Sequence, residues 1–308
     1  LEKFFIMNAS WIGRAARALI GASAVALLAA CGSGSVVSDL TPKRFITVGD
    51  GFMDVGQAGY RYTVNDGSNI WVQDLAAHYQ QTITSANSGG WGYAQGGARV
   101  AAADAGGAPS VTAQIDAVLA RTTFNANDDV VVVGGGIADV VAAVGATGFT
   151  DQTKKDVQAA GKALGEQIKR LVDAGAAHVL VVGVYNLGNT PWAAGQNQKS
   201  ALTDLSVDFN TGVQLEIVNL GKNVLFVDPA LLHNLMYNKP ENYQFDNGRD
   251  AVCTTPDATT CNTSTLVAGA DHNKWLYADG LYLTPEASRR FGSDRYSESV
   301  YYKFKNRW

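Results

Sequence analysis

Proline is scarce in this chain, with 7 residues in 308, and no apolar run reaches the about 20 residues that a membrane-spanning helix needs. Positive charge is not in excess: 24 Lys and Arg stand against 28 Asp and Glu, for a net charge of −4. That removes the basic footprint of a nucleic-acid binder. Charged residues make up only 17% and hydrophobic residues 46%, a balance that rules out global disorder and allows a sizeable core. The 33 glycines follow no three-residue period, which excludes a collagen-like chain. Much glycine with little proline instead fits many tight strand-to-helix turns, the economy of an α/β domain.

Cysteine is also rare, and its 3 residues divide into two uses. Residues Ala18 to Ala30 form a run of small apolar residues preceded by Arg14 and Arg17, the order of a secretory signal. The run ends Leu28-Ala29-Ala30-Cys31, which resembles the lipobox of bacterial lipoproteins. The resemblance implies that Cys31 is lipidated and becomes the new N-terminus; an ordinary signal with a chance cysteine is the alternative. Met7 is the expected start, with Leu1 to Ile6 as upstream read-through, so residues 1–30 are set aside as leader. Gly32 stands where an aspartate would retain a lipoprotein, which implies sorting to the outer membrane of a bacterial envelope. Residues 31–43 read as a flexible tether. Cys253 and Cys261 enclose a polar segment with a turn-forming Pro-Asp. In an oxidising compartment the expectation is a local disulfide, with two free thiols as the alternative.

From residue 44 onward, apolar strands alternate with helical patterns. Phe45 to Val48, Val130 to Val133, Val179 to Val184 and Val224 to Val227 are short apolar runs, each followed by polar or glycine-rich residues. Helical spacing of apolar residues spans Ile70 to Tyr79, Val111 to Leu119, Val157 to Val172 and Leu202 to Leu220. Such alternation predicts a parallel sheet covered on both faces, in one domain over 44–308, with no repeat and no internal linker. In such sheets, sites lie outside the carboxyl ends of the strands.

The loops at those ends resemble the SGNH (GDSL) hydrolase family, block by block. Gly49-Asp50-Gly51 followed by Asp54-Val55-Gly56 is similar to the family's first block, in which a strand runs into Gly-Asp-Ser. Tyr93 to Ala98, with Gly96-Gly97, resembles the second. Gly135-Gly136-Ile137-Ala138-Asp139 resembles the third, normally Gly-x-Asn-Asp, and Asp279 to Pro285 the fifth, normally Asp-x-x-His-Pro-Thr. A cysteine-bounded loop ahead of the last block also recurs in extracellular members. The resemblance covers about 44–295. It implies a flavodoxin-like three-layer α/β/α sandwich with a five-stranded parallel sheet, and ester hydrolysis by a serine nucleophile without a cofactor.

The departures fall on the reacting groups. Gly51 stands where the family has its nucleophile, Tyr282 where it has its histidine base, and Ala138 where it has the asparagine that stabilises the oxyanion. Asp279, the acid that would orient the base, and the backbone N–H groups of Gly51 and Gly97 remain. Glycine has no atom to attack with, and a tyrosine of pKa about 10 is a poor base at neutral pH. Losing a triad nucleophile costs on the order of a million-fold, and an oxyanion donor roughly 100- to 1000-fold, though not additively.

Three functions follow. The first is a pseudo-hydrolase holding an ester, lipid or acylated glycan without cleaving it. The second is a hydrolase rewired through His272, a metal, or the aspartates Asp50, Asp54, Asp139 and Asp279. The third is an envelope interaction module. His178 reads as structural, and His78 and His233 lie in helical patterns. Tyr60, Tyr62, Trp71 and Trp91 are candidates for a groove wall, with Tyr237, Tyr243 and Phe245 as a cap, or are ordinary packing aromatics. A monomer anchored to a membrane through lipid is the expected state.

Overall fold

Four strands form the central sheet in the computed structural model, which describes residues 38–103 and 106–308. They are β1 (Arg44–Val48), β2 (Asp129–Val133), β3 (Val179–Val182) and β4 (Val224–Val227), all parallel and in the spatial order β1-β2-β3-β4. All five residues of β2 and all four of β3 are buried, as continuous Val and Leu runs in a two-sided sheet require. The leader, Cys31 and the start of the tether lie outside the described residues.

On one face lie α2 (Val111–Arg121), α3 (Ile137–Thr147), α4 (Asp151–Asp173) and α6 (Lys199–Ile217), and on the other α1 (Trp71–Ala77), α8 (Pro285–Gly292) and α9 (Val300–Lys305). Two short helices, α5 (Pro191–Gln196) and α7 (Ala230–Asn238), follow β3 and β4. A separate parallel pair, β5 (Asn247–Ala251) and β6 (Trp275–Tyr277), precedes the last block. This is the expected α/β/α sandwich. Each helical pattern read from the sequence is a helix, with ends displaced by a few residues.

The sheet has four strands rather than the expected five. The segment Trp91 to Gln95 runs beside β1 where a fifth strand would lie. Thr47 N–H donates to the Trp91 carbonyl at 3.0 Å, Tyr93 N–H to the Thr47 carbonyl at 2.7 Å, and Gln95 N–H to the Gly49 carbonyl at 3.0 Å. The ladder stops at a single bridge, Thr47 with Gly92. Glycines at 89, 90, 92, 96 and 97 flank or interrupt the segment and deny it the packing side chains that hold a strand. Trp91 is fixed instead between two guanidinium groups, Arg44 at 4.6 Å and Arg121 at 3.9 Å from its ring.

Helices α4 and α6 meet backbone to backbone. A Cβ on Gly161 would run into the Phe209 carbonyl oxygen, and one on Gly212 would lie 2.5 Å from the Gln158 carbonyl oxygen. Helix propensity alone makes Gly→Ala stabilising by about 1 kcal/mol, whereas forcing a methyl into a closed interface costs about 1–3 kcal/mol. The clash is with backbone that cannot rotate away, so it decides the sign. Gly161→Ala is expected to lower the unfolding free energy by about 1–2 kcal/mol in urea titration, against the propensity scale.

Candidate active site

The turn after β1 is built around a buried carboxylate. Gln114 of α2 clamps Gly49, its Oε1 accepting from Gly49 N–H at 2.7 Å and its Nε2 donating to the Gly49 carbonyl at 2.9 Å. The chain then enters a single 3-10 turn, Gly51–Met53, capped by Asp50. One Asp50 oxygen accepts from Phe52 N–H at 3.1 Å and the other from Ile137 N–H at 3.0 Å. That second bond joins the end of β1 to the head of α3. Gly136, the residue before α3, has φ +113° and lies against the Phe209 ring, with no room for a Cβ.

Asp54, a turn further along the chain, does similar work. It accepts from Gly56 and Gln57 N–H through one oxygen, at 2.8 and 2.9 Å, and from Gly96 N–H through the other at 2.9 Å. Asp139 takes Val100 N–H on both oxygens, at 3.2 and 3.1 Å. The first three sequence blocks are thus tied together by carboxylates that accept from backbone. Among the described residues the N–H groups of Gly51 and Gly97 donate to no protein acceptor.

The last block closes over this floor. Asp279 is buried and accepts three backbone N–H bonds: Leu281 at 2.8 Å, Tyr282 at 2.6 Å and Ala258 at 3.0 Å. Ala258 belongs to the loop between Cys253 and Cys261, which are disulfide-bonded with a Cα–Cα distance of 5.7 Å. The tight turn aims the Tyr282 ring at Gly51. A Cβ on Gly51 would lie 2.8 Å from Cε1, Cζ and Oη of that ring. The aromatic ring therefore fills the space into which a side chain at 51 would project.

Tyr282 is 6% exposed and meets the Tyr62 ring at 5.0 Å, edge to face, while Tyr62 meets Tyr60 at 6.2 Å. Tyr185, just beyond β3, is fully buried and donates its hydroxyl to the Leu281 carbonyl at 2.6 Å, supporting the turn from below. Burial, and then the nearby Asp50 carboxyl, hold the Tyr282 phenol well above its ordinary value of 10. It stays protonated at neutral pH and takes no proton from a nucleophile.

The carboxyls are perturbed in the same sense. Burial pushes Asp50 up to about 6, against the backbone bonds it accepts, and pushes Asp139 up to about 7, with Asp50 adding to the rise. Burial also raises Asp54 and Asp279.

The other sequence candidates lie elsewhere. His272 Nε2 is 2.8 Å from Asp66 Oδ2, an ion-pairing partner outside the four blocks. His233 is fully buried, shares a 2.8 Å hydrogen bond with Tyr277 Oη, and is lowered by burial to about 3. Tyr277 Oη also donates to the Asn189 carbonyl, which assigns the His233 proton to Nε2. His178 packs edge-on against Trp308, and His78 stacks on Tyr301 at 3.7 Å. Among the described residues, no three His, Cys, Asp or Glu side chains come together to hold a metal ion. Trp71 is core, donating its indole N–H to the Phe52 carbonyl, and Phe245 is buried under Arg290. Sequence reasoning does not single out Gln114 or Tyr185, although Tyr185 follows a strand's carboxyl end, where position alone makes it a candidate.

The model of the GDSL-like lipase/acylhydrolase family matches residues 45–294. The chain belongs to that family. Among solved structures it is similar to Est24, a carbohydrate acetylesterase from Sinorhizobium meliloti, at 14% identity and TM-score 0.45, covering 86% of this chain and 97% of the other. It is also similar to an aryl esterase of M. smegmatis, at 15% identity and TM-score 0.44 over 81% and 94% of the two chains. An extracellular lipase of Streptomyces rimosus matches at 18% identity and TM-score 0.40, over 61% and 80%. No curated protein matches the sequence.

The raised carboxyls give this family member a pH signature. A carboxyl whose folded pKa is raised contributes stability that is full below about pH 4 and is lost as pH rises through the folded value. For Asp50 and Asp139 the loss runs through about 6 and about 7. Asp139→Asn keeps an acceptor for Val100 N–H and removes the titration. Between pH 5 and pH 8 the variant is expected to gain about 1–2 kcal/mol relative to the parent, read as diverging denaturation midpoints. Parallel midpoints across that range would refute the assignment.

Proposed function

We propose that this protein is a catalytically silent GDSL-family member that holds an acylated ligand, such as an ester, a lipid or an acylated glycan, without cleaving it. The observation that carries the reading is the Tyr282 ring in the space beside Gly51. The nucleophile is absent, and its place is occupied by a group that stays protonated. Binding retains two supports. The N–H groups of Gly51 and Gly97 donate to no protein acceptor among the described residues, and Tyr60 and Tyr62, packed outside the buried Tyr282, offer an aromatic row on which a sugar or acyl chain can lie. Attachment to the outer membrane through Cys31 belongs to the same reading, supported by the Arg14 and Arg17, apolar-run and Leu-Ala-Ala-Cys order.

Hydrolysis of p-nitrophenyl acetate and p-nitrophenyl palmitate tests the proposal. The parent is expected at background, and so is Gly51→Ser, because the serine Cβ meets the Tyr282 ring; that variant should also be less stable by about 1–3 kcal/mol. The triple variant Gly51→Ser, Ala138→Asn, Tyr282→His is expected to turn over both esters or the shorter one. Parent turnover that disappears in Asp279→Ala would overturn the proposal, as would turnover that resists serine-directed phosphonates. For the anchor, metabolic labelling with a palmitate analogue is expected in the parent and absent in Cys31→Ser.

A further inference from the structure

β4 closes one end of the sheet, and among the described residues no strand pairs with its outer edge. The ladder to β3 fixes which groups face outward. Val179 N–H donates to the Asn223 carbonyl at 2.8 Å and Gly183 N–H to the Val227 carbonyl at 3.1 Å, so residues 223, 225 and 227 turn their backbone groups inward. Val224 and Phe226 turn theirs out. The Val224 N–H is taken by the Leu220 carbonyl at 2.9 Å, which leaves the Val224 carbonyl and both Phe226 groups for a neighbour.

Beside this edge runs an apolar groove of about 470 Å³, lined by Leu215, Ile217 and Val218 at the end of α6 and by Val224 and Phe226. Leu215 is 58% exposed and Val218 71%. An open edge flanked by exposed aliphatic side chains is a pairing surface unless it is protected. β4 carries no proline and no charge between its ends; its charges stand outside them, Lys222 before and Asp228 after.

We propose that β4 is the two-fold interface of a homodimer, pairing antiparallel with β4 of a second copy so that two four-stranded sheets run on as one. Charge selects the register. With Leu225 opposite Leu225 of the second copy, Lys222 stands opposite Asp228 at both ends, and Val224 opposite Phe226. A shift of two residues sets Lys222 against Phe226 or Ala230, and a shift of one turns the groove-facing side chains to the wrong face. Lys222 and Asp228 are both exposed and have no ion-pair partner among the described residues. The same register makes the Leu225 pair a non-hydrogen-bonded one, with Cα atoms about 4.5 Å apart, inside the range of a disulfide. The two apolar grooves then abut across the axis and cover each other. The proposal departs from the monomer expected from sequence, and it does not depend on what the cleft binds.

Sedimentation velocity of the full chain in a mild non-ionic detergent tests the pairing, together with cysteine cross-linking. The parent is expected as a dimer at micromolar concentration. Lys222→Glu should weaken the dimer roughly tenfold or more, and adding Asp228→Lys should restore it, because the swapped pair attracts again. Under mild oxidation Leu225→Cys should cross-link to itself well above the parent background, and Val207→Cys, exposed but off the axis, should not. Four results would overturn the proposal: a monomeric parent; a dimer indifferent to the charge reversal; equal cross-linking at 225 and 207; or a monomer that binds phospholipid vesicles and loses them in Val218→Asp. The last would assign the face to a lipid surface instead.

Discussion

Tyr282 and Gly51 exclude each other's alternatives. The ring lies where a side chain at 51 would begin, 2.8 Å from a would-be Cβ, so a residue larger than glycine at 51 requires the ring to shift. The surrounding geometry serves this contact. Asp279 folds the turn that aims the ring, Tyr185 props that turn from below, and Tyr62 closes its outer side. The residues at 51 and 282 are therefore coupled by packing rather than independent of each other. That coupling keeps the cleft well packed: the volume that position 51 leaves open is filled by the ring at position 282.

The four aspartates are held by a different constraint, the backbone donors around them. Each accepts hydrogen bonds, through one oxygen or both, from backbone N–H groups that otherwise lie buried and unpaired. Leaving such a donor unsatisfied costs about 1–3 kcal/mol, so removing Asp50 or Asp279 would disturb the fold whether or not the site turns over substrate. Burial raises all four carboxyls, yet their bonds come from the chain itself. Perturbed carboxyls clustered in a cleft usually point to acid–base chemistry. Here the same perturbation arises from using carboxylates as turn-formers in a dry interior.

Much of the fold is legible in the sequence because its signals are local. Val130 to Val133 and Val179 to Val182 are too apolar and β-branched to be anything but buried strands, and the spacing from Val157 to Val172 fits only one helix face. The fifth strand fails because family likeness supplies a position, whereas glycine content decides whether a ladder forms there. The blocks are legible as family motif, and the family model matches the stretch that holds them. Their consequence is not. That Tyr282 occupies the room beside Gly51 depends on two segments 231 residues apart, and no periodicity encodes such a contact. His272 illustrates the opposite limit: seven residues from Asp279 in sequence, it is bonded to Asp66 instead.

The two edges of the sheet are finished differently, and the difference follows from the residues beside them. Next to β1 the chain returns as a glycine-rich segment that covers the edge with four backbone bonds and pins Trp91 between two arginines. An edge covered in this way offers no template to another strand. Among the described residues β4 receives no such return. After Val227 the chain turns into α7 through Asp228 and Pro229, with the Asp228 carboxylate accepting the Ala230 N–H at 2.8 Å. That cap uses one oxygen and leaves the charge exposed beside an open edge, where Lys222 at the other end has the opposite sign. An isolated β edge gains nothing from opposite charges at its two ends, because they are a strand length apart. They become useful only when an antiparallel neighbour brings each end beside the other's opposite charge.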